Sequence, residues 1–308
     1  MTAKFTRFAL ISQTAFFAMK LMIGAIFALL AAATSAISVV IVRRNSAGSN
    51  SFNMSLIITS VGMLVLWPLA LGLVWQETVT IEGVMLFALS GFLSPGIVRL
   101  FYYKGLNKLG ASTNSAVFSI YPVYSALLAV ILLGEALTGP NWIGIACIAL
   151  GVVFLQYCRQ EGCREKDGLK HWIFPITGGI TIAIGSVIGK YALTVSDAPI
   201  FGVAVAYTFS LLPYGLILVA SRQTRTELNL KRDLRFFWIA GIGQAICWLF
   251  TYAAFHFDNV AIANPLISTE PIFVVIFGYF MLRQIEHVSK KVAFSIALTV
   301  LGVALVVL

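Results

Sequence analysis

The sequence predicts an all-α integral membrane protein of ten transmembrane helices, built as two inverted five-helix repeats. Three observations predict it: an extreme apolar composition, ten largely apolar runs of spanning length, and landmarks that recur about 150 residues apart while the loop charge reverses phase. Of the 308 residues 59% are hydrophobic and 11% charged, and the mean hydropathy of +0.93 lies outside the range of ordinary soluble domains. A bilayer core about 30 Å thick needs roughly 20 apolar residues per helix. Runs of that kind fall near 21–42, 54–75, 83–103, 113–133, 140–157, 171–193, 200–220, 236–256, 260–282 and 292–308. The first follows Lys4, Arg7 and Lys20 in the manner of a signal peptide, but its length and its end at Arg43 and Arg44 make it a retained helix.

The chain divides into a first repeat with a short N-terminal segment (1–158), a charged linker (159–170) and a second repeat (171–308). At a shift of 149 residues Pro95, Arg99, Tyr103, Ser115, Ser119 and Pro122 fall on Gln244, Trp248, Tyr252, Asn264, Ser268 and Pro271. At a shift of 151, Glu135, Thr138 and Gly151 fall on Glu286, Ser289 and Gly302. Five helices is an odd number, so a duplicated unit must enter the membrane in opposite senses. Charge tests this independently: the odd-numbered loops carry sixteen Lys plus Arg, against four in the even loops and termini. Basic loops are the first and third of one half but the second and fourth of the other, as inverted topology requires. By the positive-inside rule the odd loops face the cytoplasm and both termini lie outside.

The net charge of +9 sits in short loops beside spans, which points to lipid headgroups and membrane insertion, not nucleic acid. Cys147 and Cys247 lie in helices and Cys158 and Cys163 in the linker, without metal-ligand or disulfide-framework spacing.

The stretch Arg99-Leu-Phe-Tyr-Tyr-Lys-Gly-Leu, then Leu109-Gly-Ala-Ser, Tyr121-Pro122, Leu133-Gly-Glu135 and Ile143-Gly144 resembles the EamA type of the drug/metabolite transporter superfamily, over residues 21–308. The second copy departs by reading Arg283-Gln-Ile-Glu286 where the first reads Gly134-Glu135. The resemblance implies a secondary transporter or exchanger of small organic solutes in the plasma membrane, often an exporter of amino acids, other metabolites or drugs. It further implies a central cavity formed by helices one, three, four, six, eight and nine, and both termini in the cytoplasm, against the charge count.

Glu270 is the one acidic residue near the middle of a predicted span. A charge there costs about 2.5–3.5 kcal/mol on insertion scales, so it must face a partner or a wet cavity. It is the first candidate for proton coupling or for binding a cationic group, the alternative being a structural hydrogen bond or ion pair inside the bundle. Pro122 and Pro271 each remove an intrahelical hydrogen bond, freeing the carbonyls of Phe118 and Ile267, and mark a bending or gating element or a plain kink. Ser115, Ser119 and Pro122 form one helical stripe, and Asn264, Ser268 and Pro271 another, suited to solute contact or to helix packing. Arg99 is an anion-binding group, a partner of Glu270, or a snorkelling side chain. Tyr103, Tyr121, Trp248 and Tyr252 line a cavity or belong to interfacial belts. Lys190 reads as a snorkelling anchor, and Glu135 and Glu286 as turn residues before Thr138 and Ser289, possible caps of helices five and ten.

Alternating access around a midplane site, with or without proton coupling, is the leading expectation. Ten helices in one chain suffice for a monomer. A facilitative exchanger and a non-transporting scaffold or receptor are the alternatives. No phosphate-binding loop is present, since Gly189-Lys190 is followed by Tyr191, and His171, His256 and His287 all fall at helix ends, so neither an enzyme, a cofactor nor a metal site is expected.

Overall fold

The computed structural model describes residues 2–45, 50–109, 114, 117–158, 169–222, 230–282 and 290–307, and among them there is no strand. The elements are α1 (Thr2–Asn45), α2 (Ser51–Leu73), α3 (Ile81–Gly91), α4 (Val98–Leu109), α5 (Tyr121–Leu128), α6 (Gly139–Cys158), α7 (Ile173–Val195), α8 (Pro199–Phe209), α9 (Leu212–Ala220), α10 (Leu230–Phe257), α11 (Val260–Ile267), α12 (Glu270–Leu282) and α13 (Lys290–Val307). Eight stretches are long and apolar enough to cross a membrane, and Tyr121–Leu133 and Ala293–Val307 are shorter apolar helices. The expected ten full-length spans are thus eight among the described residues. The two short ones fall on the expected fourth and tenth runs, and part of the fourth, with Ser115, lies outside the described residues.

Several spans are made of two helices joined at a proline. Proline has no N–H to give the preceding turn and its ring crowds the carbonyl four residues back. α3 passes through a widened segment, Phe92–Ile97, that contains Pro95 and a non-helical Ser94 before α4 begins. α8 gives way to α9 just before Pro213. Ahead of Pro122, Ile120 N donates to Val117 O at 3.3 Å and Val123 N to Ile120 O at 3.0 Å. Ahead of Pro271, Thr269 N donates to Leu266 O at 3.2 Å and Ile272 N to Thr269 O at 2.9 Å. The two tight turns coincide at the 149-residue shift.

α1 packs on α10 and α12; α7 packs on α3 and α5; α2 lies against α10 and α8; α6 pairs with α13. Lipid tails are as apolar as leucine, so helices in a bilayer gain little by hiding large side chains and associate through close backbone approach. The core follows that rule. Ala28, Ala126, Ala192, Ala204, Ala254 and Ala261 are fully buried, whereas Leu64, Met85, Ile131, Leu216, Phe280 and Phe294 face outward. The protein is a multi-pass integral membrane protein.

Candidate functional site

Glu270 is the first residue of α12, immediately after the break from α11. A carboxylate at a helix start meets unpaired N–H groups and the positive end of the helix dipole, which eases its placement at membrane depth. From α1, Ser35 Oγ donates to Glu270 Oε2 at 2.8 Å. From α10, Gln244 Nε2 donates to Ser35 Oγ at 3.1 Å. The carbonyl of the same Gln244 accepts from Tyr207 Oη of α8 at 3.0 Å, and Tyr207 is hydrogen-bonded in turn to Arg99. Arg99 Nη1 also donates to Thr59 Oγ1 of α2 at 2.6 Å. A run of polar contacts therefore leads from Arg99 on α4 through Tyr207 to the Gln244 backbone, and from the Gln244 side chain through Ser35 to Glu270 on α12. Arg99 is turned into the bundle, not snorkelling.

Other expected site residues gather near its Glu270 end. Tyr121 Oη donates to the Asn264 carbonyl at 3.4 Å, and Asn264 Nδ2 donates to Ser125 Oγ. Phe118 lies between Tyr102 and Tyr121, with ring centres 5.2 and 5.7 Å away. Ser119 and Ser268 are buried beside the two helix breaks, and the Ser268 hydroxyl donates to Pro265 O at 2.6 Å. Trp248 is partly buried, 6.4 Å from the Tyr252 ring. Tyr252 itself is 1% exposed, lies 5.9 Å from Phe87 and shares a hydrogen bond with Ser90 Oγ at 3.3 Å. It belongs to the packed core. The Tyr103 side chain lies outside what the structure describes, as do Glu286 and Ser289. Sequence reasoning passed over Ser35, Thr59 and Tyr207, because single polar residues in apolar runs carry no periodic signal.

A second polar region occupies the end of the bundle where the even loops meet. Glu135 does more than form its turn: its Oε1 and Oε2 accept from Val260 N and Ala261 N, each at 2.9 Å, at the start of α11. Glu77 does the same for α8, accepting from Ile200 N at 2.7 Å and Phe201 N at 2.9 Å. A carboxylate satisfies two orphan N–H groups and complements the dipole there. Burial nevertheless pushes both carboxyls above the ordinary glutamate range. Lys190 is likewise no outward anchor. Its ammonium donates to the carbonyls of Phe255 and, at 2.9 Å, Asp258, where α10 ends, which is where a cation suits the dipole. Nearby, His256 Nδ1 lies 3.2 Å from Asp197 Oδ1. Lys190→Met keeps the apolar stem and removes both donors. It is expected to cost about 1.5–3 kcal/mol, the scale of a charge-assisted hydrogen bond, read as a lower unfolding midpoint in detergent.

The model of the EamA-like transporter family matches residues 22–157 and again 170–308. An uncharacterized transporter of Helicobacter pylori is 25% identical over 60% of this chain, and the match spans 62% of that protein, a little under two thirds of its length. An uncharacterized transporter from Sinorhizobium sp, described as lying in the cobO 3' region, is 33% identical over 42% of this chain and 93% of its own. One from Archaeoglobus fulgidus is 26% identical over 78% of this chain and 82% of its own. A solved crystal structure superposes with a TM-score of 0.72 at 15% identity, covering 93% of this chain and 96% of that one, a likeness of fold alone. With nearly the whole sequence covered by two successive matches to one model, the chain belongs to the EamA-like transporter family.

Proposed function

We propose that the chain is a secondary transporter that moves a small organic solute across the plasma membrane by alternating access between two inverted five-helix repeats. The observation that carries the reading is the run of polar contacts from Arg99 to Glu270. One cation and one carboxylate lie inside the bundle, linked across five helices by side-chain hydrogen bonds and the Gln244 backbone, which supports a site able to respond to charge.

Three features support the inverted repeat. The family model matches once per half. The proline turns at Ile120 and Thr269 match. The packing also exchanges: α1 meets α10 and α12 as α7 meets α3 and α5. In this reading Glu270 is the coupling or solute-binding carboxylate and Arg99 its distant counter-charge. Tyr121, Trp248, Asn264 and the two serines line the solute path, and Pro122 and Pro271 are the bending points.

The test is a thermal-shift screen of purified protein against amino acids, other metabolites and cationic drugs, followed by uptake into proteoliposomes. A ligand at a hundred times its Kd stabilises a protein by about 2.7 kcal/mol. Glu270→Gln is expected to weaken binding or uptake of the active class at least about tenfold, since a charge-assisted hydrogen bond amounts to about 1.5–3 kcal/mol. It is also expected to flatten their pH dependence. Retained uptake with unchanged pH dependence removes Glu270 from the mechanism. Uptake that is pH-independent already in the wild type selects facilitative exchange, and failure of every solute to stabilise the protein removes the transporter reading.

A further inference from the structure

Contacts at the even-loop end cross between the repeats. Glu77 and Glu135, of the first, hold the starts of α8 and α11, of the second, and Thr78 N donates to Asp197 O at 3.1 Å. At the centre of this seam lies Asp258, between α10 and α11 and 4% exposed. It packs against Gly24 of α1, where a side chain of any size would collide with the Asp258 Cβ. Asp258 Oδ1 accepts from Asn259 N at 2.7 Å. Oδ2 is buried and has no hydrogen-bond partner.

We propose that Asp258 is a proton-binding site that controls this seam: with its carboxyl protonated α10 and α11 stay closed on α1, and loss of the proton favours separation. The charge balance argues for it. Among the described residues, Lys190, from α7, and Glu135, from the turn before α6, are the charged groups that face Asp258. Each lies at a helix end of favourable polarity, and together they are neutral. α1 brings Gly24, which has no charge to offer, and His256, two residues back on α10, is engaged by Asp197. Against these described groups, a carboxylate at Asp258 adds one uncompensated negative charge, with one oxygen bare, where α10 ends and the dipole is already negative. Protonation removes that charge; opening the seam lets water solvate it instead. Burial pushes the Asp258 carboxyl up to about 7 from an ordinary 3.8, so the proton leaves in the neutral range.

The sign follows from linkage. The closed seam holds the proton more tightly than an open, hydrated one, so closure is most favoured below about pH 4 and is lost as pH rises towards 7. Hydrogen–deuterium exchange of the full chain in nanodiscs, without solute, measures this at residues 258–263, after correction for the intrinsic rate. Opening is expected to rise by up to about tenfold per pH unit from pH 5 to 7 and to level off above, the behaviour of one released proton. Asp258→Asn is expected to stay protected throughout, and Gly24→Ala to be open already at pH 5. A flat wild-type profile, or an unchanged slope in Asp258→Asn, overturns the proposal. Should Asp258→Asn not fold, a Gly24→Ala profile identical to wild type overturns it as well. The proposal rests on the alternating-access reading only in treating the opening as a transport step. Exchange is measured without solute, so its failure leaves solute-induced stabilisation untouched, and the reverse holds too.

Discussion

Glu135→Ala is expected to cost the protein about 2–4 kcal/mol and to loosen the start of α11 before any other part of the bundle. The two bonds from Val260 N and Ala261 N are both 2.9 Å long, and the carboxylate is 9% exposed. Charge-assisted hydrogen bonds contribute about 1.5–3 kcal/mol each, and bonds that share one acceptor group add less than fully. Alanine also leaves two amides facing a cavity with no acceptor and takes from Lys190 its opposing charge. Glutamine keeps one acceptor oxygen but turns an amide towards the second N–H, so about half the loss is expected. The unfolding midpoint in detergent measures the total, and hydrogen exchange at residues 260–263 locates it. A loss below about 1 kcal/mol for Glu135→Ala, or loosening spread evenly over the bundle, rules out Glu135 as a latch between the repeats. Glu77 supplies the internal comparison. It makes the same pair of bonds on α8 from a half-buried position nearer the surface, so its removal is expected to cost less.

This contrast shows what the sequence can and cannot reveal. Span positions were legible because hydropathy is a local property. Pro122 and Pro271 were legible as bends because proline acts on its own turn, and Glu270 stood out because a carboxylate inside an apolar run is expensive wherever the run lies. The partner of Glu135 was not legible. Leu-Gly-Glu before Thr138 reads as a local turn, and the backbone groups it holds are 125 and 126 residues away. Lys190 was misread for the same reason: near a helix end a lysine is equally able to reach outward to lipid headgroups or inward to another helix's carbonyls, and only packing chooses. Tyr252 matched Tyr103 in the repeat and so suggested a cavity wall. The side chain instead fills the space between α3 and α10, where Ser90 takes up its hydroxyl. The run of contacts from Arg99 to Glu270 depends on Ser35, Gln244 and Tyr207, whose alignment exists only once five helices are assembled.

Gly91→Val is expected to exceed the usual penalty for overpacking, about 1–3 kcal/mol, and to deplete folded protein at ordinary expression temperature. Gly91 ends α3 against α8, and a Cβ built there falls within the van der Waals shell of the Ala206 backbone. A crowded side chain can change rotamer, but a backbone can yield only by moving a helix. One turn away the fit is reciprocal, because a Cβ on Gly202 of α8 would strike the ring of Phe87 on α3, which is fully buried. The two helices therefore approach each other's backbones from both sides, and neither can retreat without opening the other contact. Gly72→Val is the control. It lies in the exposed last turn of α2, where nothing comes within 4 Å of an added Cβ, so it is expected to leave the unfolding midpoint nearly unchanged despite the same gain in bulk. Comparable losses for both variants in midpoint and monodisperse yield would mean that valine's helix propensity, not the α3–α8 approach, sets the effect. Because α3 belongs to the first repeat and α8 to the second, a loss confined to Gly91→Val also locates a tight, side-chain-free contact across which the two halves move in the proposed alternating-access cycle.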